Sequence, residues 1–106
     1  MSYMQFIRQP DINSGVASFH KSEGALLLDV RTTQEYQAGH IPGSINLPLQ
    51  ELDNAEEIIE NEDTPIYVYC RSGSRSRQAS AILGAMGYSN VTNIGGMAAW
   101  TGKVER

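Results

Sequence analysis

Two short stretches of this chain are apolar at every position: Ala25, Leu26, Leu27 and Leu28, and then Ile66, Tyr67, Val68 and Tyr69. Both are too uniform for a strand with one wet face and too short for a buried helix, so they predict parallel strands covered on both sides. Elsewhere the apolar positions recur every three or four residues: Ile12, Val16 and Phe19; Leu52, Ala55 and Ile59; Ala79, Ile82, Leu83 and Met86. That spacing predicts helices with one buried face. Residues 44–47 and 91–94 predict two further short strands. Strands alternating with helices make an α/β sheet with helices on both faces.

Punctuation along the chain agrees with these divisions. Thr32 followed by Glu35 is a capping-box pattern that opens a short helix, and Gly39 is expected to close it in the left-handed conformation, as Gly87 does after Met86. Pro42-Gly43 marks a turn. Gly95-Gly96 follows the last strand and precedes a final helical turn holding Trp100. There is no internal repeat, linker or low-complexity tract, and one domain over residues 4–105 accounts for the 106-residue chain. The acidic cluster Glu56, Glu57, Glu60, Glu62 and Asp63 reads as the solvated face and end of a helix.

Composition narrows the class. Hydrophobic residues are 41% and charged residues 19%, a globular balance. No apolar run is long enough for a membrane span, and residues 1–6 lack the basic start and apolar core of a signal peptide, so a cytoplasmic location is expected. The net charge of −4 argues against nucleic acid as a partner. It is unevenly spread: eleven of the twelve acids lie in residues 1–63, and none lies between Asp63 and Glu105. That acid-free stretch contains Arg71, Arg75, Arg77 and Lys103, a local positive field suited to a small anion.

The lone cysteine stands inside that field. Cys70 ends the second apolar run and is followed by Arg71, Ser72, Gly73, Ser74 and Arg75. One cysteine forms no internal disulfide, and a free thiol suits a reducing compartment. A helix beginning near Ser74 or Arg75 would aim its N-terminal amides and dipole at Cys70, and two guanidinium groups add fixed positive charge. With no proline in residues 71–77, every amide remains a donor, and Gly73 takes backbone angles that other residues resist. These features favour the thiolate, the nucleophilic form of cysteine. A phosphatase-type cradle places arginine one position later, where Ser76 stands, so this loop makes a smaller ring of amides, better matched to sulfur than to a phosphoryl group. A small cysteine-dependent phosphatase or arsenate reductase is therefore the weaker alternative.

In three ordered blocks the chain resembles the rhodanese family of sulfurtransferases. The first runs through Leu27-Leu28-Asp29-Val30-Arg31, Glu35-Tyr36 and Gly39-His40-Ile41-Pro42-Gly43-Ser44-Ile45-Asn46-Leu47-Pro48. The second is Tyr69-Cys70-Arg71-Ser72-Gly73-Ser74-Arg75-Ser76, and the third is Gly95-Gly96-Met97-Ala98-Ala99-Trp100. The resemblance implies a three-layer α/β/α domain around a mainly parallel five-stranded sheet. It implies that Cys70 takes the outer sulfur of a small anionic donor such as thiosulfate and passes it, as a persulfide, to cyanide or a thiol. A protein sulfur acceptor is a further possible partner, and a non-enzymatic sulfur carrier or sensing module is the other alternative. No cofactor or metal is implied. The loop residues Arg71, Ser72, Gly73, Ser74 and Arg75 would hold the donor, with Arg71 or Arg75 on its sulfonate oxygens.

The remaining candidates read as support. Asp29 ends a buried strand at the edge where α/β proteins place their sites, yet a carboxylate beside a thiolate would oppose its ionisation, so Asp29 is expected to brace Arg31 or loop amides. Arg77 lies further into the helix and reads as a solvated residue. His40 reads as a structural histidine in its turn, which leaves a Cys-His protease with little support. His20 has no evident partner, and scattered His and Cys make no metal site. Met97 and Trp100 read as packing residues.

Overall fold

The computed structural model describes residues 11–106; the expected domain start at residue 4 and the N-terminal segment considered for a signal peptide lie outside them. In chain order the elements are α1 (Ile12–Lys21), β1 (Leu26–Asp29), α2 (Thr33–Ala38), β2 (Ser44–Asn46), a 3-10 turn (Leu49–Asn54), α3 (Ala55–Ile58), β3 (Ile66–Cys70), α4 (Ser74–Ala85), β4 (Val91–Gly96) and a 3-10 turn (Met97–Ala99). The strands form one open sheet in the order β2-β1-β3-β4, and every pairing is parallel. Among the described residues the sheet has four strands, not the expected five. All other apolar positions from Ile12 onward are carried by helices, 3-10 turns and loops, which leaves no further strand-forming run in this part of the chain.

The two uniform apolar runs are buried on both faces because they occupy the centre of the sheet. Alternate residues point opposite ways. Leu27 and Tyr69 join Ile12, Val16, Ile41 and Ile94 in a core beneath α1. Leu28, Ile66, Val68 and Cys70 join Leu52, Ala55, Ile59, Ala79 and Leu83 on the α3/α4 side. The parity of β3 therefore sends the Cys70 side chain toward α4.

Several details differ from expectation. Leu52, Ala55 and Ile59 are buried as their spacing requires, but Glu51 leaves helical angles at φ −113°, and a 3-10 turn followed by a single α-turn replaces one helix. On α4 the buried stripe is Ser76, Ala79 and Leu83, while Ile82 is exposed. Small residues on that stripe bring the helix close to the sheet. The Thr32/Glu35 capping box is present, but Gly39 closes α2 at φ 159° and ψ 132°, an extended rather than left-handed conformation. Trp100 stands just beyond the last 3-10 turn and donates its Nε1–H to the Lys103 carbonyl at 2.8 Å. No described helix is long and apolar enough to cross a membrane.

Candidate functional site

The carboxyl ends of parallel strands are where open α/β sheets hold ligands, because strand ends and helix starts converge there. Cys70 is the last residue of β3, and α4 begins four positions later at Ser74. Gly73 makes this turn at φ +102°, in the left-handed region that costs glycine nothing. The turn brings the Gly73 N–H to 2.9 Å from Cys70 Sγ, where it donates to the sulfur. Ser76, completely buried on the first turn of α4, places its Oγ 3.5 Å from the same sulfur.

The Cys70 side chain is buried, which pushes its pKa up. Hydrogen bonding from the Ser76 side chain and from the amides of Ser76, Gly73 and Ser72 outweighs this, and the thiol lies below its ordinary value. These amides surround one side of the Cys70 sulfur. Beside it lies an open cavity of about 430 Å³, lined by Arg71, Ser72, Gly73, Ser74, Arg77 and Asn93 together with Gly95, Gly96, Ala98 and Ala99. A second hollow of about 300 Å³, lined by Arg31, Glu35, Ala38, Arg71, Met97 and Ala98, adjoins it at Arg71 and Ala98.

The arginines have separate fates. Arg75 places Nη1 2.7 Å and Nη2 3.0 Å from the two carboxylate oxygens of Glu35, so its charge is already paired. Glu35 in turn is held down to a pKa of about 2, chiefly by Arg75 and further by Thr32, against the effect of burial. Arg71 and Arg77 are exposed, line the larger cavity and have no carboxylate within 4.0 Å among the described residues. Arg77, which the sequence assigned to solvent, therefore borders the cavity.

Asp29 is bound to Arg31. Its Oδ2 accepts from Arg31 Nη2 at 2.7 Å and its Oδ1 from the Arg31 backbone N–H at 2.9 Å. Arg31 also donates to the Gly39 carbonyl at 2.8 Å and lies over the Tyr69 ring. Asp29 aligns with Tyr69 rather than with Cys70, so the pair supports the opposite face of the sheet end. His40 stacks on Tyr36 at 3.7 Å and places Nδ1 2.8 Å from the Tyr36 carbonyl oxygen, a structural setting.

Three contributors escaped the sequence reading. Gly96 aligns with Cys70, and a Cβ there would strike the Arg71 carbonyl oxygen and lie 2.6 Å from Ser72 Cα. The end of β4 thus lies against the loop backbone. A bulge opposite Val68 and Tyr69 makes Ile94 the extra residue and leaves Asn93 facing α4, where its Oδ1 accepts from Ser76 Oγ at 2.7 Å and from the Gly95 N–H at 3.0 Å. Ser76 is the third. The sequence signals were the Gly95-Gly96 pair and a serine in the first turn of α4, but neither carries a spatial address.

A parallel α/β sheet whose central strand delivers a thiol to the amides of a helix N-terminus defines an α/β protein with a buried cysteine at the start of a helix. The particular kind follows from likeness to known sequences. The sequence pattern of the Rhodanese-like domain matches residues 16–103, and this chain belongs to that family. It is 43% identical over 72 residues to the thiosulfate sulfurtransferase PspE of Escherichia coli, covering 66% of this chain and 68% of PspE. It is 42% identical over 85 residues to YrkF of Bacillus subtilis, covering 78% of this chain but 45% of that longer protein. A solved structure of an E. coli rhodanese with anions superposes with a TM-score of 0.72 at 34% identity, over 77% of this chain and 98% of that one.

Proposed function

We propose that the protein is a sulfurtransferase that moves sulfane sulfur from a small anionic donor such as thiosulfate to cyanide or a thiol through a persulfide on Cys70. The observation that carries this reading is the Cys70 sulfur accepting the Gly73 N–H at 2.9 Å at the start of α4, with its thiol lowered despite burial. The thiolate attacks the outer sulfur of thiosulfate; the new S–S bond forms as the old one breaks, and sulfite leaves with the electron pair. The persulfide anion then gives its outer sulfur to the acceptor and returns the thiolate. Atoms and charge balance in both halves, and ping-pong kinetics follow.

Arg71, with the amides of Ser72 and Ser74, would hold the donor's oxygens, a role supported by their position on the cavity wall. Arg75 is the positioning residue of the loop, since its bidentate pair with Glu35 ties the guanidinium to α2. The structural likeness to an E. coli rhodanese with anions supports an anionic donor. The lone thiol suits a reducing compartment such as the cytoplasm.

Intact-mass measurement after incubation with thiosulfate tests the reading. The parent protein should gain one sulfur atom and Cys70→Ser none, and the gain should vanish on adding cyanide. Failure of the parent to gain sulfur from thiosulfate and from other sulfane donors would remove the proposal.

A further inference from the structure

The Ser76 hydroxyl has one hydrogen and several neighbours able to accept it. Asn93 Oδ1 lies at 2.7 Å, the Gly73 carbonyl at 3.1 Å, and the Gly95 carbonyl and Cys70 Sγ at 3.5 Å each. The Gly95 N–H donates to the same Asn93 atom at 3.0 Å, which identifies that atom as the amide oxygen. An amide oxygen has no hydrogen to give, so the hydrogen in the 2.7 Å contact belongs to Ser76. With it so placed, Ser76 presents a lone pair to the sulfur. A lone pair suits the protonated thiol, which donates to it, and opposes the thiolate. To assist the thiolate, the hydroxyl must turn and leave Asn93, which keeps the Gly95 N–H as its remaining partner.

The geometry points to Asn93 as a positioning residue that governs, through the single hydrogen of Ser76, how readily Cys70 ionises. The inference deepens the persulfide reading and rests on it for its purpose. A thiolate about to attack needs the Ser76 hydrogen. Once a sulfur is attached, the charge moves to the outer atom among the loop amides, Cys70 Sγ becomes a neutral disulfide-like sulfur, and the hydrogen returns to Asn93. Ser76 then helps the nucleophile without stabilising the loaded form to the same degree. That difference raises the fraction of attacking thiolate before loading and favours release of the sulfur to the acceptor afterwards.

Other charges around Cys70 are few. The loop contributes Arg71, α4 contributes Arg75 and Arg77, and α2 contributes Glu35, paired to Arg75. The end of β1 brings the Asp29–Arg31 pair. β4 carries no charged side chain, and Glu51, Asp53, Glu56 and Glu57 on the segment covering the α4 side are exposed. None of them contacts Ser76 or Asn93.

The test is titration of Cys70 in donor-free protein by ultraviolet thiolate absorbance, with Cys70→Ser as baseline. Asn93→Ala should lower the midpoint by about one pH unit, a tenfold change in ionisation equilibrium. Ser76→Ala should raise it, and Ser76→Thr should restore it. Added to Ser76→Ala, the Asn93 change should do nothing. Equal shifts with and without Ser76, or no shift from Asn93→Ala, would overturn the inference. If Asn93→Ala does not fold, Asn93→Asp serves: a stronger acceptor should raise the midpoint further when Ser76 is present than when it is absent, and equal rises count against the idea. Because no donor is used, a failure of sulfur loading in the mass experiment leaves this result intact.

Discussion

At the residue scale the site depends on a missing side chain as much as on the sulfur. Gly96 lets β4 lie against the Arg71 and Ser72 backbone, and an added methyl has no space there. Backbone cannot yield as a flexible side chain can, so Gly96→Ala should push the loop outward and destabilise the protein by about 1–3 kcal/mol. It should also slow sulfur loading at Cys70 by on the order of tenfold, the consequence of losing a cradle hydrogen bond to a charged sulfur. Denaturant unfolding and timed intact-mass loading measure the two effects. A variant that loads sulfur at the parent rate would show that contact with β4 is irrelevant to the cradle. Cys70 and the glycine-containing loop were legible from local order alone. The need for glycine at position 96 was not, because the clashing atoms belong to a segment distant along the chain.

Among the elements, the Glu35–Arg75 pair joins α2 to α4, with the Glu35 backbone N–H also donating its capping bond to the Thr32 hydroxyl oxygen. Both side chains are about two-thirds removed from solvent, and the pairing is bidentate, which places its contribution toward the upper part of the roughly 0–1 kcal/mol range for accessible ion pairs. Glu35→Gln keeps an acceptor for the Thr32 N–H and removes the charge. Its loss of stability should be about 1 kcal/mol at neutral pH by denaturant unfolding. Glu35 has its folded pKa depressed from 4.5 to about 2. Its stabilisation is therefore complete above 4.5 and disappears as pH falls through about 2. The gap between parent and Glu35→Gln should close over that window; a constant gap would exclude the ion pair as its cause. The capping box was legible as a Thr and a Glu three apart, whereas the same glutamate's second task needed α4 folded against α2.

Across the whole molecule, a net acidic chain presents a basic face around one loop. No acid occurs from residue 64 to 104, and Arg71 and Arg77 both border the larger cavity. A doubly charged donor should feel that field before contact, and salt should screen it over about 10 Å at 0.1 M. The apparent KM for thiosulfate is expected to rise with ionic strength while kcat holds, and Arg71→Gln should remove much of the slope. A flat salt response in the parent would rule out steering. The sequence by itself determined the α/β class, the two buried central strands, the thiol at a strand end and the positive field around it. Each of these is written in neighbouring residues or in short periodicities. Only the tertiary structure decided which arginine is already paired, that β4 bulges to aim Asn93 at Ser76, and that the sheet has four strands over residues 11–106. Those outcomes depend on contacts between segments far apart in the chain, where composition and spacing exert no constraint and packing geometry does.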